Sequence, residues 1–379
     1  MKNLYYIGIL LLVLSSPAPI VAQKTADDYL RLSQQRLESR DVKGAIEALS
    51  KAIELKPDNA KAYAQRSRLQ MITGQPDLAL ADLDKALLID PELAQAYVDR
   101  SHVRMLKNDM PGALADLDSA IGRGHKSDEI YSSRARLRMM TRDFSGAIED
   151  FTIAMTMNPN RPGHHLGRAS ARRLSGDEAG AFADYNAVLE QFEQEEADRL
   201  KAGKPPRTAA PFDLQSPMIK GPESRQKNAT SMSGVVVSMR TDANGMTPEQ
   251  MEYLPNIAGA YTNRGLIYQK RGDATAALAD FNKSIVVDPS NSWARYVRGK
   301  ALLDSGDATA ALADFNESVK LGAPVAVIYL ERGATLTLLG RDSEAEADYA
   351  QAVKMDPRMQ GPVERRRAEA KQQAEKKTP

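Results

Sequence analysis

Apolar residues recur three or four positions apart in short runs, and polar turns separate one run from the next. Residues 261–289 show the pattern most clearly, because it predicts one helix over about 261–270 and a second over about 275–286. Gly272 stands in the turn between them, and Pro289 ends the second helix because proline lacks an amide hydrogen. One face of the second helix carries Ala277, Phe281 and Ser284. A face that alternates small and large residues predicts two closely packed helices.

The same unit returns with a period of 34 residues, which predicts an array of similar helix pairs. In each copy the second helix keeps the apolar face, and in most copies a proline follows it. Neither helix of a pair can bury its apolar face alone, so the copies are expected to stack on their neighbours. The predicted copies are residues 26–59, 60–93, 94–127, 128–161, 162–195, 258–291, 292–325 and 326–359.

This period and its residue pattern resemble the tetratricopeptide repeat family. The resemblance implies an all-α fold, a right-handed α-solenoid of stacked helix–turn–helix repeats in two blocks. The first block, residues 26–195, would hold five repeats, and the second, residues 258–359, would hold three. The family mostly binds peptides and partner proteins and seldom catalyses reactions, so the resemblance implies a binding role.

The two predicted blocks are separated by an insert, residues 196–257, of different composition. Its central part, 202–246, is rich in Pro, Gly, Ser, Asn and Gln, and such a segment buries too little apolar surface to offset its chain entropy. We therefore expect a mostly disordered insert, with one apolar run at 235–239. A short helix is predicted over 248–253, because Thr247 and Pro248 form a good helix start.

The two ends of the sequence carry their own signals. Residues 1–22 are typical of a secretory signal peptide: Lys2 precedes a short apolar run, and a cleavage site is expected after Ala22. Ile20 is larger than the residue usual at its place before a cleavage site, so an uncleaved anchor stays open as the alternative. The charged tail, 360–379, is predicted to be helical, with its first turns covering the last repeat and the rest frayed.

An arginine at position 7 and an aspartate at position 23 occur together in seven repeats. Both are lost together in the first repeat, which has Leu32 and Ala48 instead. The joint loss predicts that each arginine pairs with the aspartate 16 residues later; the alternative is that both are solvated. The predicted pairs are Arg66 with Asp82, Arg100 with Asp116, Arg134 with Asp150, Arg168 with Asp184, Arg264 with Asp280, Arg298 with Asp314, and Arg332 with Asp348.

In the family that the chain resembles, positions 2, 5, 6, 9, 12 and 13 of the first helices line a concave groove. Carried over, positions 9 and 12 of repeats two to four predict a basic row beside a methionine row: Arg68, His102 and Arg136, with Met71, Met105 and Met139. Methionine suits an adaptable peptide surface, and the basic row would favour acidic peptides. The alternative is that methionine packs between helices and arginine is solvated.

In repeat seven the same groove positions hold Trp293, Tyr296 and Lys300. These side chains would suit an aromatic or proline-bearing segment. The alternative is that Trp293 packs at the join of two repeats.

Composition excludes several other classes. With 51 Lys and Arg against 50 Asp and Glu, the chain has no global field for nucleic acid, and without cysteine it has no disulfide or thiolate chemistry. The adjacent His164 and His165 would point in different directions from one helix, which makes a poor metal site. No zinc-protease, phosphate-loop or nucleophile-elbow motif occurs, so neither catalytic residues nor a cofactor are predicted.

Together these features predict an exported, non-enzymatic scaffold of the cell envelope that binds a protein or peptide. The expected location is the periplasm or outside the cell, with no nucleic-acid partner and no membrane contact after signal cleavage. The alternative is an accessory subunit of an envelope enzyme, in which the insert completes or carries an active site. Partner identity and oligomeric state are not predicted.

Overall fold

The computed structural model describes residues 24–207, 248–322 and 325–377, with side chains from Leu254 onward in the second segment. The predicted signal peptide and most of the insert, including the run 235–239, lie outside these residues. The described residues are helical and contain no strand, which confirms the all-α class. They divide into two compact units at His125 and Lys126. This division does not fall at the insert, which lies within the second unit.

The first unit contains three helix pairs in which each helix packs on the next in chain order. Its helices are α1 Ala26–Glu38, α2 Val42–Leu55, α3 Ala60–Ile72, α4 Pro76–Ile89, α5 Ala94–Leu106 and α6 Met110–Gly122.

The second unit contains five helix pairs and a final helix, again packed in chain order. The helices of repeats four to six are α7 Asp128–Met140, α8 Phe144–Met157, α9 Pro162–Ser175, α10 Glu178–Lys201, α11 Pro248–Lys270 and α12 Ala274–Val287. Those that follow are α13 Ser292–Asp304, α14 Ala308–Lys320, α15 Ala326–Leu338, α16 Asp342–Met355 and α17 Gln360–Lys377, with a 3₁₀ turn at Pro357–Met359 before α17. The predicted stacking of helix–turn–helix repeats is confirmed.

The core of each pair is built from the small and large residues that the sequence pattern identified. Ala277, Phe281 and Ser284 are all fully buried on α12. The Phe281 ring lies against Gly265 on α11, where an added Cβ would come within 2.6 Å of Phe281 Cε1. Glycine is therefore needed at this position because the aromatic ring occupies the space of a side chain.

The turn inside each pair has a recurrent geometry. In six pairs an aspartate caps the second helix by accepting a hydrogen bond from the amide three residues later, as Asp273 does from Ala276 at 2.9 Å. The residue before the cap lies in the left-handed region, which is Gly272 (φ 83°) in repeat six. Three repeats place Arg40, Asn108 or Arg142 there, with φ of 61° to 64°. A residue with a Cβ is strained in this region.

The repeats on either side of the insert pack directly on each other. Helices α10 and α11 are each about ten residues longer than the helices of a normal repeat, and the extensions lie side by side. Leu189 and Phe192 of α10 share one apolar cluster with Leu254 and Ile257 of α11. The short helix predicted over 248–253 is therefore the first turn and a half of a longer helix, because its continuation buries apolar residues against α10.

The chain turns back on itself after α10. Gly203 takes a φ of 69°, and Arg207 returns to α10 with its side chain only 8% exposed. The Arg207 guanidinium contacts both Glu195 and Glu196, and it lies 5.0 Å from the centroid of the Phe192 ring. Arg207, the last residue described before the gap at 208–247, is therefore anchored at the side of α10.

The charged tail packs on the last repeat as a helix. Helix α17 runs to Lys377, and both Val363 and Ala370 are buried. It packs mainly on α15 and less on α16, and Arg366 binds Glu331 of α15 at 3.0 Å. The helix of the tail agrees with the expectation, and a buried alanine three turns into it extends the contact beyond the first turns; fraying of the remaining residues stays a prediction.

Candidate functional site

The seven arginines at position 7, here called the hub arginines, all bind the aspartate 16 residues later. Each uses Nε and Nη2 to donate to the two carboxylate oxygens, over distances of 2.6 to 3.0 Å. The aspartates are buried and the arginines mostly so. The hydrogen bond from Arg66 to Asp82 raises the pKa of Arg66, so this guanidinium stays charged. A two-point contact of this kind fixes the two helices of one repeat.

Most hub arginines also reach the preceding repeat, a contact that the sequence analysis missed. The third donor, Nη1, binds the polar side chain 16 residues earlier: Arg298 Nη1 donates to Asn282 Oδ1 at 2.7 Å. The acceptors at the same spacing are Ser50, Asp84, Thr152 and Asn316, and for Arg264 the corresponding acceptor is Asn186. The regular polar residue at position 25 of each preceding repeat was the signal that could have revealed this contact.

The same contact occurs across the insert. Arg264 Nη1 donates to Asn186 Oδ1 at 3.0 Å, although 78 residues separate them in the sequence. Tyr261 donates to Glu193 at 2.9 Å beside it. Repeats five and six are therefore joined by the same arginine Nη1 hydrogen bond that joins other consecutive repeats.

A second arginine joins the buried aspartate in repeats three to five. Arg138 Nη1 lies 3.0 Å from both Asp150 Oδ2 and the carbonyl oxygen of Gly146. Arg104 and Arg172, also at position 11, make the corresponding contacts with Asp116 and Asp184. These arginines lie over the first turn of the second helix. A bulky side chain in this turn would therefore collide with the arginine.

Glycine at position 19 accompanies arginine at position 11 in each of these repeats. A Cβ added at Gly146 would lie 3.0 Å from both Cδ and Nη1 of Arg138, and it would also displace the capping carboxylate of Asp143. Repeats six and seven, which have Tyr268 and Leu302 at position 11, carry alanine at position 19. The arginine and the glycine therefore form one packing unit.

In the first unit the predicted groove residues have different surroundings. Arg68 is exposed, but its Nε donates to Asp99 Oδ2 at 2.7 Å, which offsets its charge. Met71 is partly buried and packs against the core of repeat two. His102 and Met105 are partly exposed on α5. Met71 and Met105 thus share an intermediate exposure, and Met71 also packs against a core cluster, as the packing alternative expects.

In the second unit, Arg136 is exposed and donates to Ser133 Oγ at 2.9 Å on its own helix. Met139 packs against the cluster that contains Ala135 and Phe151. Here too the methionine at position 12 belongs largely to the core. The basic residue remains at the surface.

The three residues predicted in repeat seven differ in exposure: Trp293 and Lys300 are at least partly exposed, and Tyr296 is buried. Trp293 is 45% exposed, whereas Tyr296 is buried and packs against Phe315 with ring centroids 6.0 Å apart. The Trp293 ring rests on Tyr296, with centroids 4.9 Å apart and planes inclined by 33°. Lys300 is partly exposed, and its Nζ lies 3.5 Å from Glu331 Oε1. Tyr296 therefore supports the indole from behind and does not itself face solvent.

In four repeats an exposed large apolar residue stands at position 13 of the first helix, next to the predicted methionine. We call these four residues the position-13 row after the repeat position that they share; two belong to each unit. They are Ile72 (51% exposed) and Leu106 (70%) in the first unit, and Met140 (61%) and Leu174 (47%) in the second. Positions 9, 12 and 13 share one helix face, so the row borders the basic residues at position 9. Its signal in the sequence was an apolar residue repeated at position 13, one of the groove positions of the family that the chain resembles.

A charged cluster lies where repeats four and five join. His164 is buried at a position that holds alanine or isoleucine in six of the other seven repeats, and its Nε2 lies 2.9 Å from Asp128 Oδ2. Burial lowers the pKa of His164. Burial alone would raise the pKa of Asp128, but hydrogen bonds from His164, Arg161 and Asn158 lower it. His164 is therefore neutral at pH 7 and donates to a charged carboxylate.

Two kinds of site are missing from the part of the chain that the structure describes. Its His, Cys, Asp and Glu side chains form no group of three or more suited to a metal ion. None of its helices has the length and apolar character needed to cross a membrane.

Comparison with known proteins bears on the family. The sequence profile of the tetratricopeptide repeat matches residues 30–97, 133–196, 262–326 and 297–360, which is more than half of the chain. No protein of curated function matches the sequence significantly.

Among solved structures, a tetratricopeptide repeat protein from Parabacteroides merdae is 16% identical, with a TM-score of 0.48, over 82% of this chain and 98% of that one. YrrB, described as having an unusual peptide-binding site, is 18% identical with a TM-score of 0.46, over 67% of this chain and 98% of its own. The MamA protein is 20% identical with a TM-score of 0.43, over 46% of this chain and 94% of its own. Identities this low carry no inference about a shared ligand.

Proposed function

Because the chain belongs to the tetratricopeptide repeat family, we propose that it is an exported, non-enzymatic scaffold of the cell envelope. The scaffold holds a partner protein or peptide against the exposed faces of its first helices. Members of this family are typically interaction proteins, and the described residues include exposed apolar side chains that a partner would cover.

The position-13 row is the observation that supports this proposal. Large apolar side chains exposed singly are ordinary, but the same position is exposed and apolar in four repeats. The most exposed of the four, Leu106, keeps 70% of its surface accessible to water. Covering such residues with apolar groups of a partner is favourable by roughly 25 cal/mol per Å² of buried apolar area. The row therefore provides binding energy that the isolated chain does not use.

The residues beside the row indicate the character of the partner. Arg136 is exposed on the same helix face as Met140, one turn away. Arg68 has the same relation to Ile72 in the first unit, although Asp99 offsets its charge. A partner segment with apolar side chains flanked by acidic ones would match this surface, because opposite charges at the rim speed association and suppress wrong partners.

Substitution of the row tests the proposal. We expect Ile72→Gln and Leu106→Gln together, both in the first unit, to reduce capture of the partner about tenfold or more, as measured by quantitative mass spectrometry of proteins cross-linked to the chain. The matched control is Leu55→Gln with Leu88→Gln in the same unit, since these residues are 50% and 74% exposed but lie on second helices. Equal capture by both double variants would contradict the proposal.

Export to the envelope is supported by residues 1–22 and by the absence of cysteine. Fusing residues 1–22 to a reporter enzyme that is active only after export would test this part. We expect activity from the fusion and none when residues 4–14 are deleted. An inactive full fusion would contradict export. The alternative role, as a subunit of an envelope enzyme, depends on an insert that lies mostly outside the described residues and stays a prediction.

A further inference from the structure

The single tryptophan of the chain is held as an exposed platform at the start of α13. Trp293 lies in the first turn of this helix and keeps 45% of its surface exposed. Tyr296 supports one side of the indole at a centroid distance of 4.9 Å, and Tyr296 is itself fixed against Phe315. The ring is therefore preorganised, and little side-chain freedom remains to be lost when a ligand packs against it.

Lys300 lies on the same helix face as Trp293. The two residues are seven positions apart, which is two turns, so they stand about 10 Å apart along the helix axis. A basic group thus follows an aromatic platform at a fixed distance.

The charge of Lys300 is only loosely engaged. Its Nζ is 3.5 Å from Glu331 Oε1, whereas Arg366 donates to Glu331 Oε2 at 3.0 Å. Arg366 also lies 3.5 Å from the exposed Glu369. If Lys300 turns toward a ligand, the buried Glu331 keeps Arg366 as its partner. No buried charge is then left uncompensated, so the movement of Lys300 costs little.

A polyproline II segment has the periodicity that fits this pair. It has three residues per turn and rises 3.1 Å per residue, so residues i and i+3 lie on one side about 9 Å apart. This spacing matches the distance between Trp293 and Lys300. Proline rings pack well on aromatic side chains, and the polyproline conformation is already formed before binding.

Building on the proposed function, we propose that Trp293 and Lys300 form a subsite for an extended peptide with a proline and, three residues later, an acidic residue. The proline ring packs on the indole, and the carboxylate binds the Lys300 ammonium. Charge complementarity selects an acidic residue at the second place. This subsite adds a sequence preference to the scaffold and is separate from the position-13 row.

The fluorescence of Trp293 reports on this subsite directly, because the full chain contains no other tryptophan. The probe is a capped peptide of sequence Ala-Pro-Ala-Ala-Glu-Ala, titrated into the full chain. We expect a saturable change in emission, and a dissociation constant about tenfold weaker when Gln replaces Glu or Ala replaces Pro in the peptide. We expect Lys300→Met to weaken binding about tenfold and Lys300→Arg to retain it within about twofold.

Lys320→Met is the matched control, because Lys320 is exposed in the same repeat but at the end of α14. It should bind the peptide as the unchanged chain does. No saturable change at millimolar peptide, equal binding of all three peptides, or full binding by Lys300→Met would overturn the subsite. These results would leave the proposed function standing if position-13 row variants still lose their partner, so the two failures are distinguishable.

Discussion

At the scale of single residues, the hub arginines show how one side chain can serve two repeats. Nε and Nη2 bind the buried aspartate of the same repeat, and Nη1 binds position 25 of the repeat before. The pairing within a repeat was predictable because both residues disappear together in repeat one. The link between repeats was missed, because position 25 varies among Ser, Thr, Asp and Asn, and the oxygen acceptor that these side chains share does not by itself identify its donor.

A double-mutant cycle tests the pair in repeat seven. Asp314→Ala should lower the free energy of unfolding by about 3 kcal/mol, since Arg298 would lose its partner in a largely buried place. Arg298→Leu should cost a similar amount, and the double variant clearly less than the sum, as measured by urea denaturation. The exposed pair Lys320 and Glu317 serves as control, with an expected coupling of about 0.3 kcal/mol. Additive losses would show that no pair contributes.

The link between arginine at position 11 and glycine at position 19 gives a second prediction. Gly146→Ala should lower the free energy of unfolding by about 1–2 kcal/mol, because the new Cβ displaces Arg138 from Asp150. Adding Arg138→Leu should recover part of this loss, because the double variant has the Leu and Ala that repeat seven carries at these positions. Urea denaturation of both variants checks this. A double variant less stable than Gly146→Ala would contradict the explanation.

His164 makes stability depend on pH. Its pKa is lowered by burial, so the unfolded chain binds a proton more readily than the folded chain as the pH falls through about 6.5. The contribution of neutral His164 to the free energy of unfolding is therefore present above this pH and is lost as the pH falls below it. We expect His164→Ala, the residue found at this position in four other repeats, to flatten the dependence of melting temperature on pH between 7 and 5. An equal slope in the His164→Ala variant and the unchanged chain would contradict the assignment.

At the scale of elements, the sequence predicted the helices of the repeats well because packing and periodicity agree there. The sequence was less informative where contacts between helices determine how far a helix extends. Helix α11 begins ten residues before its repeat, because Leu254 and Ile257 are buried against α10. In α17, whose first turns were expected to cover the last repeat, Ala370 is also buried, almost three turns into the helix. Neither the early start of α11 nor the burial of Ala370 in α17 can be predicted from the composition of these segments alone.

Removal of residues 208–247, the larger part of the insert, tests the junction of α10 and α11. We expect the chain with residues 208–247 replaced by a short Gly-Ser linker to melt within about 2 °C of the full chain, since the cluster around Phe192 and the bond between Arg264 and Asn186 remain. Calorimetry measures this. A drop of about 10 °C would show that the insert itself holds the two repeats together. If an envelope enzyme activity disappears while the melting temperature stays, the accessory-subunit alternative gains support.

At the scale of the whole molecule, the chain combines a repeated interior with a surface that changes along the sequence. The buried positions keep the same residue types from repeat to repeat, whereas position 13 is apolar in repeats two to five and becomes Lys270 and Asp304 in repeats six and seven. The candidate surface was therefore only partly predictable. The family resemblance indicated which positions could face a ligand, but Met71 and Met139 pack inward while their neighbours at position 13 do not.

The most direct test of the scaffold is photo-crosslinking in intact cells from single positions. A photoreactive residue placed at Leu106 or Met140 should form one discrete cross-linked product, because these positions would lie in the partner interface. The same residue at Leu88 or Val286, which are equally exposed on second helices, should form none. Absence of product at all four positions, or the same products at all four, would contradict the claim that the first-helix faces hold a partner.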